Sequence, residues 1–147
     1  MVRILGVDWG RARIGLAVSD ELGLTAQSLG SFSPASESQA LDTVAGYLTE
    51  LGIEAIVVGL PRKMDGSDGP SAEAVREFAR RLEEHSRLPV HLWDERFTSV
   101  AAERVLIEAG VRRRARRGAV DRVAAALILQ GFLDRRRAGA DRESSYG

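Results

Sequence analysis

A chain of 147 residues, 44% hydrophobic and 29% charged, fits one globular domain with its own core. It contains no Cys, which excludes disulfides and thiolate metal sites. No apolar run is long enough to span a membrane, and Met1-Val2-Arg3 leads straight into a strand, so neither an anchor nor a signal peptide is expected. A cytoplasmic location is the corresponding expectation. The net charge of zero is unevenly spread: residues 101–147 hold 11 Arg and 6 acids, the remainder 10 basic and 15 acidic groups. A basic C-terminal third hints at a polyanion partner, and a solvated helical surface is an equal reading. Lys63 is the one basic residue that is not Arg. Arg suits bidentate phosphate contacts, although genomic base composition produces the same skew.

In chain order, Val2 to Asp8 reads as an apolar strand broken by Gly10. Arg13 to Asp20 reads as its antiparallel hairpin partner, and Thr25 to Phe32 as a weaker third strand. Ser33-Pro34 is expected to open a helix, with Ser as cap, Pro in the first turn and Gly52 at its end. Its apolar face is Leu41, Val44, Ala45, Leu48 and Leu51. The continuous run Ala55 to Leu60 predicts a parallel central strand covered on both faces. A polar loop, Pro61 to Gly69, follows, and Pro70 opens a second helix with Ala72, Val75, Ala79 and Leu82 inward. Val90 to Trp93 is a fifth strand. A third helix is expected from about Ser99 to Ala109, then a basic connector from Gly110 to Gly118, and a last helix over Ala119 to Arg136. Residues 138–147 read as a polar disordered tail after a single domain over 1–137. The order β-β-β-α-β-α-β-α-α predicts an α/β fold: a mixed five-stranded sheet, three strands in an antiparallel meander and two parallel, flanked by helices.

Three acids stand where such a fold places functional groups. Asp8 closes the first strand, Glu95 follows the fifth, and Asp121 lies in the first turn of the last helix. Taken singly, Asp8 reads first as a turn cap, and Glu95 as a surface ion pair with Arg96 or a helix N-terminal acid. Asp121 is more telling. It shares a helical face with Ala124, Ala125, Ile128 and Phe132, which is the face expected to pack on the sheet, and an acid there is costly unless paired or metal-bound. Carboxylates converging at one sheet edge repel one another unless a cation joins them, and hard oxygen donors suit Mg²⁺ or Mn²⁺. The Pro61–Gly69 loop is either a substrate-contacting loop or a plain connector. Arg112, Arg113, Arg114, Arg116 and Arg117 are candidate phosphate contacts, with a screened exposed connector as the other reading. His85 and His91 are isolated and carry no ligand role. Aromatic residues, at 5%, are too few for a base-stacking platform.

Together these stretches resemble the YqgF/RuvX family, ribonuclease H-like proteins described as Holliday junction resolvases and pre-16S rRNA nucleases. The resemblance rests on four segments in order: Ile4-Leu5-Gly6-Val7-Asp8-Trp9-Gly10 through Arg13–Asp20, Val58-Gly59-Leu60-Pro61 with Met64-Asp65-Gly66, Asp94-Glu95-Arg96-Phe97-Thr98, and Asp121 to Gln130. It implies a ribonuclease H-like fold and a two-metal nuclease in which Asp8, Glu95 and Asp121 are the catalytic carboxylates. Asp8 would bridge a pair of Mg²⁺ or Mn²⁺ ions, one activating water and one stabilising the leaving 3′-oxygen. Arg62 and Lys63, where the family is usually less charged, and the 112–117 cluster would hold the nucleic-acid backbone. Trp9 stands where the family often has Tyr or Phe. A fourth metal-site acid is not evident, with Asp94 the candidate.

The expected substrate is structured nucleic acid, either a four-way DNA junction or precursor rRNA. Paired cleavage of a junction favours a homodimer, for which exposed apolar residues of the Ser99–Ala109 helix are a candidate interface. Two other classes fit less well. An actin-like ATPase has a similar acid-glycine hairpin turn, but such folds enclose a nucleotide between two domains. A non-catalytic factor in ribosome biogenesis or transcription gains nothing from acids clustered near phosphate.

Overall fold

A computed structural model describes residues 3–10, 12–63, 65–97 and 113–146, with side chains of the last segment described over 123–139. Five strands form one sheet: β1 (Arg3–Trp9), β2 (Ile14–Ser19), β3 (Ala26–Phe32), β4 (Ile53–Leu60) and β5 (Val90–Asp94). Their order across the sheet is β3-β2-β1-β4-β5. β2 runs antiparallel to β1 and β3, whereas β4 runs parallel to both β1 and β5. The expected meander plus two parallel strands is therefore the observed topology. β4 has a hydrogen-bonded neighbour on each side, and Ala55 to Leu60, apart from Gly59, is buried hydrophobic. A strand covered on both faces cannot alternate polar with apolar, hence its unbroken hydrophobic run.

Helices α1 (Glu37–Leu51) and α2 (Pro70–Ser86) lie in the chain on either side of β4, and α3 (Arg113–Tyr146) follows β5. α1 starts later than the sequence suggested. Its cap is Ser36, whose Oγ accepts the Gln39 amide at 3.1 Å, while the Gln39 side chain takes the Ala35 amide at 2.5 Å. This reciprocal capping outcompetes the Ser33-Pro34 start. Gly52, left-handed at φ 64°, closes the helix. Ala40, Val44 and Leu48 of α1 and Ala72, Val75, Phe78, Ala79 and Leu82 of α2 are buried. They belong to one core with Leu5, Val7, Leu16, Ile56, Val58 and Leu60 of the sheet.

The opposite sheet face carries a second core, in which Ala124, Ala125, Ile128, Leu129 and Leu133 of α3 meet Ile4, Ala17, Ala55 and Val57. Gln130 ties the same helix to β3 and the turn before it. Its Oε1 accepts the Ala26 amide and its Nε2 donates to the Leu24 carbonyl, each at 2.9 Å. One expectation about this helix is corrected. Helical backbone begins at Arg113, so Arg113, Arg114, Arg116 and Arg117 stand on its first turns rather than in a connector, and the helix runs to Tyr146. Arg, Ala and Glu are good helix formers, and such stretches propagate a helix already anchored by packing. The Ser99–Ala109 helix and Arg112 lie outside the described residues. Among those described, no helix is long and apolar enough to cross a membrane.

Candidate active site

Strand parity decides what faces what. Ile4, Gly6 and Asp8 share one face of β1, and Ala55, Val57 and Gly59 share the same face of β4, because side chains alternate along a strand. That is the face covered by α3, as the burial of Ile4, Ala55 and Val57 in its core requires. The β1–β4 register pairs Val7 with Val58, so the next step along both strands sets Asp8 beside Gly59. Adjacent strands lie about 4.8 Å apart.

Glu95 reaches the same spot from the other side. It opens a short 3-10 turn, Glu95–Phe97, directly after β5, whose register pairs Trp93 with Gly59 and Asp94 with Leu60. Its carboxylate folds back over β4, so that a Cβ placed on Gly59 would lie 2.9 Å from Glu95 Oε1. Glu95 is only 7% exposed, and Asp8 is half-buried. Both line an open cleft of about 410 Å³ at the C-terminal edge of β1, walled by Trp9, Gly10, Ala12, Arg13 and Gly15 of the hairpin, Pro61, and Ser71, Ala74 and Val75 of α2. The Trp9 ring, stacked on Phe78 with centroids 5.7 Å apart, anchors one wall to the core beneath.

The helix opposite closes down on glycine. A Cβ on Gly6 would lie 2.8 Å from Leu129 Cβ and 3.0 Å from the Ala125 carbonyl oxygen. Ile4 lies in a pocket with Leu133, and Gly6 lies under Ala125 and Leu129, so α3 descends in sequence as β1 ascends. Asp121, one helical turn before Ala125, is therefore carried on the backbone toward the strand end that bears Asp8. Its side chain, like those of Arg113, Arg114, Arg116 and Arg117, lies outside the described residues. Among the described residues no group of three or more His, Cys, Asp or Glu is placed to hold an ion. Asp8 and Glu95 contribute two acids to the cleft.

Asp94 has another occupation. Arg96 grips its carboxylate with Nε 3.1 Å from both oxygens and Nη2 2.8 Å from Oδ2, and the Arg96 amide donates to Oδ1 at 2.9 Å. Arg62 Nη1 approaches Oδ2 at 3.6 Å. The Arg96 guanidinium, followed by its amide and the charge of Arg62, holds the Asp94 carboxyl below the usual carboxylate range against the opposing effect of burial. Asp94 is thus tied to Arg96 and Arg62.

Arg62 is likewise engaged. Its Nε lies 3.1 Å from Asp68 Oδ1, and Arg76 Nε of α2 lies 2.6 Å from Asp68 Oδ2. Those two guanidinium groups, Arg76 foremost, keep Asp68 ionised. Pairing of Arg62 with Asp68 makes the Pro61–Gly69 loop a small hairpin, closed by the Lys63 amide on the Ser67 carbonyl at 3.0 Å. The loop is a built element chained to β5 and α2, with Lys63 exposed on it. Sequence reasoning missed Arg13, an exposed cation on the cleft wall. The available signal was its place in the hairpin turn that follows Asp8.

A mixed five-stranded sheet in the order β3-β2-β1-β4-β5 with helices on both faces defines the ribonuclease H-like fold. The model of the RuvX family, described as Holliday junction resolvase, matches residues 2–135, and the chain belongs to that family. A protein of Moorella thermoacetica named "Putative pre-16S rRNA nuclease" is 52% identical over 134 residues, covering 91% of this chain and 96% of its own. One of the same name from Koribacter versatilis is 51% identical over 141 residues, covering 96% and 91%. Among solved structures, T. thermophilus RuvC in complex with a Holliday junction substrate superposes with a TM-score of 0.55 at 14% identity, covering 94% of this chain and 97% of that one. At that identity the likeness concerns the fold.

Proposed function

We propose that this chain is a divalent-metal-dependent endonuclease that trims precursor rRNA at the 5′ end of the 16S sequence, with Asp8, Glu95 and Asp121 as its metal ligands. One observation carries the reading: Asp8, half-buried, and Glu95, buried, line one cleft, with the Glu95 carboxylate over Gly59 and Asp8 level with that glycine on the next strand. Two carboxylates lining one cleft make a site that can take a cation. Its donor set, carboxylate oxygen alone, fits Mg²⁺ or Mn²⁺ and disfavours softer ions. When bound, a pair of such ions supplies an activated water and offsets charge on the leaving 3′-oxygen.

The remaining work falls to the protein. Asp8, at the end of the central strand β1, would be a ligand to such ions. Glu95, buried, would be the second ligand, and Asp121 would complete the set from the helix. Arg13 and Lys63, both exposed, and the Arg112–Arg117 cluster hold backbone phosphates. Arg62, already shared between Asp68 and Asp94, keeps the loop in place beside them.

The choice of RNA follows the relatives near 50% identity, whose names specify pre-16S rRNA, over the resolvase structure at 14%. The test uses purified protein with Mn²⁺ or Mg²⁺ on a precursor-rRNA fragment and on a four-way DNA junction, for wild type and Asp8→Asn. Cleavage of the RNA that disappears in a folded Asp8→Asn variant is expected. Paired symmetric nicks in the junction alone would reassign the substrate and call for a second copy of the chain. Cleavage retained by Asp8→Asn would end the metal-ligand assignment.

A further inference from the structure

We propose that Gly59 is a positioning residue for Glu95: the side chain it lacks is the space in which the Glu95 carboxylate stands. The inference rests on the metal-site reading above only for its consequence, not for its geometry. Around it β4 is built of bulky apolar residues, with Ile56, Val57, Val58 and Leu60 all buried. A glycine inside such a strand weakens it by offering no side chain to pack, and it marks a place where something approaches closely. Here two groups do. A Cβ on residue 59 would lie 2.5 Å from Ile128 Cδ1 and 3.2 Å from its Cγ1, and 2.9 Å from Glu95 Oε1.

The nature of these neighbours separates Gly59 from Gly6 on the same face. Gly6 meets a Cβ and a backbone carbonyl, so it sets how near the helix comes. Gly59 meets the ends of two side chains. Ile128 can rotate away. Glu95 can also move, but its carboxylate then leaves its place beside Asp8. An alanine at 59 would therefore act through Glu95, displacing the ligand while the fold persists.

Ile128→Ala removes both isoleucine atoms and leaves Glu95 as the close contact, so the informative comparison is Gly59→Ala/Ile128→Ala against Ile128→Ala. In the crystal structure of the metal-free double variant, Glu95 Oε1 should sit at least 3.4 Å from the new Cβ rather than 2.9 Å, where ordinary contact begins. Mn²⁺ affinity by calorimetry should fall about 10- to 100-fold, the range for a disturbed ligand support. In a Glu95→Gln background the added Gly59→Ala should leave Mn²⁺ affinity unchanged. A carboxylate that stays in place, or an equal loss of affinity in the Glu95→Gln background, would overturn the proposal. A displaced carboxylate in a protein whose wild type takes up no Mn²⁺ would uphold the positioning role and sink the metal-site reading instead.

Discussion

Replacing Gly6 with alanine tests how the cleft is assembled. The new Cβ would meet Leu129 Cβ at 2.8 Å and the Ala125 oxygen at 3.0 Å. Neither atom can rotate away, so relief requires α3 to recede by about 0.6 to 1 Å to regain normal separations of about 3.5 Å or more. Overpacking of this kind costs about 1–3 kcal/mol, and two immovable neighbours place it near the upper end. For a domain of this size about 3 kcal/mol lowers the melting midpoint by about 6–12 °C. A retreat of this size also carries Asp121 away from Asp8, and a misplacement of about 1 Å can cost about 100-fold in rate. The assays are thermal unfolding by circular dichroism and single-turnover cleavage of the precursor-rRNA fragment. Leu129→Ala serves as the control, because it keeps the Cβ that clashes and so cannot rescue Gly6→Ala. A midpoint within about 2 °C of wild type, under about 1 kcal/mol, or rescue by Leu129→Ala, would refute the close-approach argument.

Three further outcomes are expected. The folded-state pKa of Asp94 lies below its ordinary value of 3.8, chiefly through Arg96. Its contribution to stability is therefore complete above that value and lost as pH falls through the folded one, so the midpoint difference between wild type and Asp94→Asn should be present at neutral pH and shrink below pH 3.8. Ser19→Ala deprives the buried Ile4 amide of an acceptor at 2.8 Å, which should cost about 1–3 kcal/mol in denaturant unfolding and speed hydrogen exchange at Ile4. Gln130→Ala removes both ties between α3 and the start of β3. A loss of about 1 kcal/mol, with faster exchange at the Ala26 amide, is the expected reading, and unchanged exchange there would contradict the tie.

The sheet was legible in the sequence because its signals are local. The unbroken apolar run of β4 and the short gap between β1 and β2 each allow one topology, and Pro70 marks the start of α2 as expected. The start of α1 was misread because Ser33-Pro34 and the Ser36–Gln39 capping pair compete within a few residues. Only the hydrogen bonds show which prevails. Phe78 was missed as a core residue, although it falls on the buried stripe of α2 and stacks on Trp9. Asp8 and Glu95 could be named from strand ends, yet their meeting depends on a register between β1, β4 and β5 that no single stretch encodes. The pairing of Arg62 and Asp94 was not legible, because charge is visible in a sequence and its partner is not. Each proves to have its partner within a few residues or across the loop.

The two faces of the sheet are unequally roofed. One is covered by α1 and α2, and the other, among the described residues, by α3. An ion held, as proposed, by Asp8, Glu95 and Asp121 would tie α3 to the sheet. Loading the metal and seating the helix would then be one equilibrium, so that divalent cation should slow amide exchange along α3 while leaving α1 and α2 as they were. A cutting centre built this way would stand idle in any molecule whose last helix had come away.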